Sequence, residues 1–506
     1  MMDVNAGSPK LLQLIGFPHP ATWPQGLIIA INALAAEWTL IHDQTAAPDA
    51  DEYRPHNSWL DSLFRCLDRA LYGRADSATL TAKLESVPPA GPLDTATTLL
   101  AYTATGAKQQ ALLRKQAILY IEYEGLALGH INDAARDRLA IPGATLAAKV
   151  WSTDGYNAQL LFHGELDMDH RSLCKSTTLI AAKVPALLRG ALARQALPTA
   201  AGLPQPRATQ APRSATHLFL RLLRAIIKKL LWRDQWRLEI FTHTEDSPTQ
   251  ARFSHVIAPP ASDFWADPFL VKIKNRLWLV FEALPFSTGK GNISAMELTP
   301  DGQPKSAPQI VLDEPWHLSY PFLFTENEQT YMIPDASMSR QLYLYRCGDD
   351  PLNWEKLAPL ISDQSLADAT LIRYQNKLWM FASHGDRGAS MDDTLHIYMA
   401  DQLTGPWKAH SLNPVKIDAR SSRPAGNMWI SKDGNLHRVA QDCSTVYGGA
   451  TVCTRIVKLS ETEFEEEIVQ AWGSEYNTAS TPWHTFNQLD GIQVIDRLQI
   501  SSRYRS

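Results

Sequence analysis

The feature that most constrains the fold is a repeat in the second half of the chain. Each copy is a short strand-like run, a polar turn and a second strand-like run. The four clearest copies are WADPFLVKIKNRLWLVFEA from Trp265, LSYPFLFTENEQTYMIPDA from Leu318, LADATLIRYQNKLWMFASH from Leu366 and SSRPAGNMWISKDGNLHRVAQD from Ser421. The copies are 53, 48 and 55 residues apart when they are aligned on Asp267, Tyr320, Asp368 and Arg423. This period is typical of one four-stranded propeller blade.

A fifth, more divergent copy begins near His484, with the sequence HTFNQLDGIQVID. Five copies over residues 236–506 predict a closed five-bladed β-propeller, because a ring of blades leaves no long sheet edge exposed. A β-sandwich is the alternative all-β architecture. It gives no reason for an equivalent motif at a constant period.

The first part of the chain has a different character. Only four of the 15 tryptophans precede residue 200. Helix-like segments such as 59–72 alternate with short apolar runs such as 117–121, which predicts an α/β domain over residues 1–194. The segment 172–192 is expected to form a closing helix, which Pro185 should start or kink. Residues 195–235 are interpreted as a Pro-rich linker and a basic helix that precede the propeller.

The basic helix is expected over residues 217–232, with the sequence HLFLRLLRAIIKKLLW. It would place Leu218, Leu222, Ile226 and Leu230 on one face. Basic residues decorate the rest: Arg221, Arg224, Lys228, Lys229 and Arg233. Such a helix either lies on an anionic membrane surface or packs between domains with solvated charges, and both roles stay open. Peripheral membrane contact through residues 217–233 is therefore one prediction, and packing of this helix between domains is the other.

Charge and targeting signals narrow the classes of function. The chain has 48 Lys and Arg against 53 Asp and Glu, a net charge of −5, so nucleic acid is not an expected partner. The longest apolar stretch near the start, residues 26–40, is shorter than the roughly 20 residues that cross a bilayer, so no spanning helix is expected. MMDVNAGSPK lacks the basic and apolar regions of a secretory signal, so we expect none. The five cysteines form no C-x-x-C pair, which argues against a structural zinc site. We expect a cytoplasmic protein, either free or at the inner face of the membrane.

The repeat also predicts a site. The first strand of each blade lines the central channel, so residues at its start gather at one mouth, where convergent polar groups form a small-molecule site. Residues at the ends of the second strands add a second set of polar side chains to this site, which we call the second tier. The predicted catalytic carboxylates are Asp267, Asp335 and Asp368. The predicted substrate-binding residues are Tyr320, Arg423, His484, His317, Glu282, His384 and Trp265. For any single acidic residue, a turn-forming role is an equally good explanation, and no metal ligand is predicted.

Several motifs resemble known families. W-A-D-P-F at 265–269 resembles the first blade of five-bladed furanosidase and arabinanase-type glycoside hydrolases, which implies that Asp267 is a general base. D-E-P-W-H-L-S-Y-P-F at 313–322, Y-M-I-P-D at 331–335 and H-T-F-N at 484–487 resemble the N-terminal propeller of plant glucosamine inositolphosphorylceramide transferases and its bacterial relatives. This resemblance covers residues 236–506 and implies a role in glycan biosynthesis. Fold alone does not fix the reaction.

The resemblance also implies a formyltransferase-like domain in front of the propeller. Such domains depend on an Asn, a His and an Asp around the formyl group. His130, Asn132 and His163 are present, but their spacing does not match that pattern. We therefore expect this domain to be a degenerate, inactive scaffold.

Three functions are consistent with the propeller sequence. A glycoside hydrolase needs a carboxylic acid and a second carboxylate, yet no Glu lies between Glu355 and Glu461, and Arg423 stands where the resemblance implies the acid. Because arginine suits a phosphate, the sequence favours sugar transfer from a phosphate-activated donor, with Asp267 or Asp368 as base. The expected partners are a nucleotide sugar as substrate and a sugar or glycan, free or lipid-linked. No other cofactor is expected. A furanosidase-like hydrolase and a non-catalytic sugar-binding or scaffold protein are the alternatives.

Overall fold

The structure is a computed structural model of the chain. It describes residues 11–15, 25–35, 38–43, 98–139, 141, 143–195, 223–224, 226–228, 230–242, 252–386, 388–473 and 482–503. The chain divides into two compact units. One comprises Met1–Ala225 and Asp386–Ser390, and the other comprises Ile226–Gly385 and Met391–Ser506. All five repeat segments lie in the second unit.

The described part of the first unit is a mixed β-sheet with helices. Its strands are β1 Leu11–Ile15, β2 Thr39–Asp43, β3 Thr98–Ala101, β4 Ile118–Tyr123, β5 Leu126–Ala127, β6 Leu146–Thr153 and β7 Ala158–Leu166. Its helices are α1 Gln25–Ala35, α2 Ala104–Arg114, α3 Ile131–Leu139, α4 Leu173–Ala182 and α5 Val184–Arg194. The strand order is β2-β1-β3-β4-β6-β7, with β5 beside β4. Pairings from β2 to β4 are parallel, and those from β4 to β7 are antiparallel.

Two local expectations for this unit can be compared with the structure. The apolar run 117–121 lies largely in β4, which is buried almost without interruption, as is typical of a strand covered on both faces. The segment 172–192 forms two helices rather than one. Pro185 lies in the first turn of α5, where its missing N–H costs no hydrogen bond. The expected helix at 59–72 lies outside the described residues.

The second unit is a closed ring of five sheets, and this confirms the predicted five-bladed propeller. Blades 1 to 4 follow the chain, and the third has a short fifth strand. Blade 5 combines the last two strands with the first two, which closes the ring. Blade 1 consists of β10 Asp263–Ile273, β11 Arg276–Pro285, β12 Asn292–Leu298 and β13 Gln309–Leu312, and blade 2 of β14 Ser319–Glu326, β15 Gln329–Asp335, β16 Gln341–Cys347 and β17 Trp354–Ser362. Blade 3 consists of β18 Leu366–Tyr374, β19 Lys377–His384, β20 Thr394–Ala400, β21 Lys408–Ala409 and β22 Lys416–Ile417, and blade 4 of β23 Trp429–Ile430, β24 Leu436–Asp442, β25 Ala450–Leu459 and β26 Phe464–Gly473. Blade 5 consists of β8 Trp232–Thr242, β9 Arg252–Ile257, β27 Phe486–Leu489 and β28 Ile492–Ser502.

The expected basic helix at 217–232 agrees only in part with the structure. Leu218, Arg221, Leu222 and Lys229 lie outside the described residues. Ile226, placed on the apolar face by the sequence, is half-buried, while Ile227 is exposed. Trp232 and Arg233 belong to β8 and are not helical.

Apolar side chains between neighbouring blades form the core of the propeller. β11 buries every residue from Leu277 to Ala283, because other blades cover both faces of its sheet. Phe269 and Phe322 come from the first strands of blades 1 and 2 and pack edge to face, with ring centroids 6.0 Å apart. Such packing holds the inner strands at fixed positions around the axis. None of the helices in the described ranges is long and apolar enough to span a bilayer.

A belt of hydrogen bonds ties the inner strands of all five blades together. The Tyr320 hydroxyl lies 2.8 Å from Oγ1 of Thr370 and accepts a bond from the Gly426 N–H at 2.7 Å. Oδ1 of Asn487 accepts a bond from the Asn427 N–H at 2.8 Å. Nδ2 of Asn487 donates to the Pro268 carbonyl at 2.7 Å. Because these groups meet at the centre of the ring, the inner strands keep one register relative to each other.

Gly426 offers a test of this belt. Its φ is +135°, and a Cβ atom there would lie 1.9 Å from the Phe486 carbonyl oxygen. We expect Gly426→Ala to lower the unfolding free energy by about 3 kcal/mol or more, because backbone must move. Gly434→Ala is the control, since Gly434 has φ +84° but open space around it and should cost only about 1–2 kcal/mol. Thermal unfolding of both variants measures the difference, and equal losses would contradict the packed centre.

Candidate active site at one mouth of the propeller

Three of the five aligned repeat residues share an unusual backbone conformation. Asp267, Tyr320 and Asp368 have φ values of 50°, 41° and 53°. Each lies at a β-bulge in the first strand of its blade. A non-glycine residue in this left-handed region is strained, and such strain gathers at functional sites. The aligned repeat positions therefore share one structural feature in three blades, a left-handed residue at a β-bulge.

A buried charge cluster lies where blade 5 meets blade 1. Nδ1 of His484 is 3.0 Å from Oδ1 of Asp496, and Nε2 of His484 is 3.4 Å from Oδ1 of Asp267. Burial alone would lower the pKa of His484, but Asp496 and Asp267 raise it to about 9. Burial raises the pKa of Asp267, with Asp496 adding to the effect and His484 opposing it. The cluster thus consists of an imidazolium between two carboxyl groups.

The same three side chains have donor atoms within 4.8 Å of one another. Their chemistry, one imidazole nitrogen and two carboxylate oxygens, suits a divalent metal ion. The ion pairs of His484 account for the arrangement equally well, because a protonated imidazole is not a metal ligand. The described residues thus contain one group that could hold a metal, and it coincides with this cluster.

Thr485 of the H-T-F-N segment, the Tyr320 backbone and Asp496 are the other partners of Asp267. Thr485 donates its hydroxyl to Oδ1 of Asp267 at 2.6 Å, and the Tyr320 N–H donates to Oδ2 at 3.2 Å. The Asp267 N–H donates to Oδ2 of Asp496 at 3.0 Å. Both oxygens of Asp267 are therefore engaged. Sequence reasoning missed Thr485 and Asp496, although Asp496 stands on a second strand, as Glu282 and Asp335 do.

Asp368 and Arg423 form a second buried pair. Nε of Arg423 donates to Oδ2 of Asp368 at 2.6 Å, and Nη1 donates to Oδ1 of Asp392 at 2.7 Å. Oδ1 of Asp368 and Nη2 of Arg423 have no hydrogen-bond partner among the described residues. Burial raises the pKa of Asp368, although Arg423 opposes this. Sequence reasoning gave Asp392 no role in the site, but it pairs with Arg423.

Glu282 and His317 form a third pair at the end of β11. Nε2 of His317 lies 3.2 Å from Oε1 of Glu282, and Nδ1 of His317 accepts a bond from the Gly291 N–H at 3.0 Å. Burial raises the pKa of Glu282 to about 7; His317 opposes the shift and Asp267 adds to it. Glu282 therefore holds a proton for much of the time at neutral pH.

Two predicted substrate-binding residues contribute packing instead. The Tyr320 hydroxyl points into the central belt and is occupied by Thr370 and Gly426. Trp265 is buried in the core, with its ring centroid 5.0 Å from that of Phe281. In both cases the backbone lies at the predicted strand start, but the side chain turns away from the mouth. Both side chains are buried, so packing is the role that their contacts support.

The second tier is displaced by one residue in blade 3. Ala266 pairs with Glu282 and Ser319 with Asp335, whereas the equivalent Ala367 pairs with Ser383. A shift of one residue moves a side chain to the opposite face of the sheet. His384 accordingly stacks on His396, with ring centroids 4.3 Å apart. The buried Ser383 hydroxyl, which sequence reasoning missed, has no partner in the described part of the chain.

Asp335 has a local structural role. Its Oδ1 accepts a hydrogen bond from the Ser337 N–H at 2.7 Å, which is the turn-forming arrangement considered for single acidic residues. Its charge still acts on the site, because it raises the pKa of Asp368 after burial. Asp335 thus shapes the electrostatic environment of the mouth.

The mouth as a whole combines buried carboxyl groups with an exposed aromatic ring. Asp267, Glu282 and Asp368 all have raised pKa values, with burial as the main cause. The ring of Tyr447 lies over Arg423, 4.9 Å from the guanidinium carbon, and is exposed. Glu282 and Asp368, whose pKa values rise to about 7, are suited to accept and donate protons. The arrangement is therefore able to perform general acid–base chemistry beside an exposed aromatic ring.

Comparison with known proteins identifies the propeller. The family model of glucosamine inositolphosphorylceramide transferase 1, N-terminal, matches residues 247–500. The chain is 34% identical over 238 residues to glucosamine inositolphosphorylceramide transferase 1 of Oryza sativa subsp. japonica, covering 46% of this chain and 32% of that protein. It is 36% identical over 245 residues to the protein of that name from Arabidopsis thaliana, covering 47% and 32%. The chain thus spans about a third of the length of these curated relatives.

A solved structure with a similar chain path is an exo-β-1,3-galactanase from Clostridium thermocellum. The TM-score is 0.36 at 13% identity, over 46% of this chain and 59% of that chain, which is too distant to inform activity. The family match, in contrast, covers just over half of the sequence and confirms the resemblance inferred from the motifs. The chain therefore belongs to the family of the N-terminal domain of glucosamine inositolphosphorylceramide transferase 1.

Proposed function

We propose that the propeller is a carbohydrate-active enzyme that transfers a sugar from a phosphate-activated donor to a hydroxyl group of a glycan acceptor. The observation that carries this proposal is the Asp368–Arg423 pair, which presents an open carboxylate oxygen beside an open guanidinium nitrogen. The curated relatives are named as transferases for glucosamine and inositolphosphorylceramide. By analogy with that name, we take the acceptor to be lipid-linked, and the reaction to belong to glycan biosynthesis.

Asp368 is the better candidate of the two proposed bases. Both oxygens of Asp267 already accept hydrogen bonds, from Thr485 and Tyr320, whereas Oδ1 of Asp368 is open. The acceptor O–H proton would pass to Asp368, and the acceptor oxygen would bond to the anomeric carbon of the donor. The bond from that carbon to the phosphate oxygen breaks, and its electron pair stays on the phosphate. Asp267 then serves as a positioning residue.

Arg423 would stabilise the leaving phosphate through fewer hydrogen bonds than an arginine without carboxylate partners could form. A free guanidinium can bind phosphate through two parallel N–H groups. Here two carboxylates occupy Nε and Nη1, so Nη2 is the group left for the donor. The contact would be a single hydrogen bond, reinforced by the positive charge in a buried environment.

One observation favours glycoside hydrolysis as the second candidate. The acid that the sequence lacks near Arg423 is available in blade 1, because Glu282 has a pKa of about 7. A hydrolase needs such a protonated carboxyl to donate to the leaving oxygen. A phosphate leaving group needs no proton at neutral pH. The role of Glu282 therefore separates the two reactions.

The first kinetic prediction concerns Asp368. We expect Asp368→Asn to lower turnover about a hundredfold or more, because the amide cannot accept a proton, while donor affinity changes little. Glu297→Gln is the control, since Glu297 is buried in the same propeller but pairs with Arg276 and Lys305. Product formation and calorimetric titration with a panel of nucleotide sugars measure the two quantities. Unchanged turnover in Asp368→Asn would remove Asp368 from the mechanism.

The second kinetic prediction uses pH. Transfer needs ionised Asp368, so kcat/KM should rise with pH above the usual carboxyl range, where this raised pKa lies. Hydrolysis also needs protonated Glu282, so its rate should fall as pH rises through about 7. A rising profile that Glu282→Gln leaves unchanged supports transfer. A bell-shaped profile whose alkaline limb disappears in Glu282→Gln, together with cleavage of simple glycosides, supports hydrolysis.

For the first unit we propose a formyltransferase-like scaffold without formyl transfer. Nδ1 of His130 lies 3.2 Å from Oδ2 of Asp133, while His163 is exposed on β7, and this arrangement does not supply the three groups of a formyl site. Purified protein should release no tetrahydrofolate from formyl-tetrahydrofolate with amino-sugar nucleotides. Protein-dependent release would overturn the proposal.

A further inference from the structure

One exposed aromatic ring lies against both charged clusters of the mouth. Tyr447 is 43% exposed, yet its ring lies over the guanidinium of Arg423, with Cζ 4.9 Å from the ring centroid. The same ring packs against the imidazole of His484, with centroids 5.2 Å apart and planes inclined at 59°. Arg423 is paired with Asp368, and His484 with Asp496. Tyr447 therefore bridges the two buried clusters on their solvent side.

The loop between β24 and β25 holds this ring in place. The Gly449 N–H donates to the Val446 carbonyl at 3.0 Å. Gly448 has a left-handed φ of +62°, and a Cβ atom there would lie 2.8 Å from Cβ of His484. Only glycine permits so close an approach of the loop to His484. The Tyr447 ring is therefore exposed but preorganised, which lowers the entropy that a ligand must remove on binding.

An exposed and fixed aromatic ring suits one part of a sugar. A pyranose has polar hydroxyl groups at its edge and apolar C–H groups on its faces, and the electron-rich face of an aromatic ring attracts those C–H groups. Arg423 covers one face of the Tyr447 ring, so the exposed area lies on the other face and the edges. Partial burial raises the pKa of Tyr447 well above its usual value. The ring is thus uncharged and repels no phosphate.

We propose that Tyr447 is the platform on which the transferred sugar of the donor, a pyranose, stacks. This inference rests on the proposed function, in which Nη2 of Arg423 binds the leaving phosphate and Asp368 accepts the proton of the acceptor. The transferred sugar is bonded to that phosphate, so its ring is the sugar ring nearest to Tyr447. Stacking holds the sugar at the mouth equally before and during the reaction. Tyr447 is therefore a substrate-binding residue and takes no part in proton transfer.

Substitutions at Tyr447 separate KM from kcat, with a panel of nucleotide sugars as donors. Tyr447→Ala should raise the donor KM and the calorimetric Kd about tenfold. Its kcat should change by less than about threefold, because the lost contact stabilises the bound substrate and the transition state alike. Tyr447→Phe keeps the ring and should behave like the parent. Val446→Ser is the matched control, since Val446 is 56% exposed in the same loop, and it should also match the parent.

Gly448→Ala tests whether the loop positions the ring. The added Cβ atom would push the loop away from His484, so donor affinity should fall although the ring is retained. Gly289→Ala is the control, because Gly289 also has a φ of +62° but nothing lies within 4 Å of an added Cβ atom. It should bind donors like the parent. Parent-like affinity in Gly448→Ala, with folding confirmed by thermal unfolding, would contradict the positioning of the ring by this loop.

Three kinetic results would overturn the platform. Equal losses in Tyr447→Phe and Tyr447→Ala would assign binding to the hydroxyl group. A lower kcat with an unchanged donor KM would show that Tyr447 only supports Arg423. A raised acceptor KM with an unchanged donor KM would place the ring against the acceptor.

Calorimetry needs no turnover, so it distinguishes the platform from the proposed function. Donor binding that Tyr447→Ala weakens, in a parent that transfers no sugar, would refute the proposed function and support the platform. A parent that binds no nucleotide sugar would overturn both.

Discussion

The contact between the last blade and the first is the constraint on which the rest of the propeller depends. Asp496 accepts hydrogen bonds from the backbone N–H groups of Asp267, His484 and Thr485, at 2.8 to 3.0 Å. The bond from Asp267 joins blade 1 to blade 5, so a buried carboxylate adds a contact to the ring that the strand pairing of blade 5 closes. A buried charge is tolerated only when it is paired and fully hydrogen-bonded. His484 pairs with Asp496 and so satisfies this requirement. The contact between the first and last blades therefore also assembles the site.

The same closure sets the chemistry of the mouth. Once Asp496 and His484 are paired, the remaining carboxyl groups lie in a buried region with too few positive charges to ionise them all. Burial raises the pKa values of Asp267, Glu282 and Asp368. Repulsion from Asp496 adds to the effect at Asp267, and repulsion from Asp267 adds to it at Glu282 and Asp368. Glu282 and Asp368, with pKa values of about 7, can exchange protons near neutral pH. Glu282 beside His317 and Asp368 beside Arg423 thus have similar raised pKa values but different partners.

The sequence predicted much of this arrangement because blade repeats are periodic. The motif spacing located Asp267 and Asp368 at equivalent strand starts, and the five blades followed from the same period. The register of a second strand is harder to predict, since a shift of one residue exchanges Ser383 for His384 at the mouth. Asp392 lies in a turn outside the repeat, so no spacing pointed to its bond with Arg423. Tyr320 and Trp265 show that a repeat position fixes the backbone but leaves the direction of the side chain to packing.

The central claim is that burial at this mouth raises carboxyl pKa values to near neutrality, for the proposed base Asp368 as well as for Glu282. The most direct test is carboxyl ¹³C NMR of the protein with ¹³C-labelled glutamate, titrated between about pH 4 and pH 9. Comparison with Glu282→Gln assigns the resonance. We expect one glutamate with a midpoint at about 7 that is missing from the variant. If every glutamate instead titrates near the ordinary value of about 4.3, the claim is wrong.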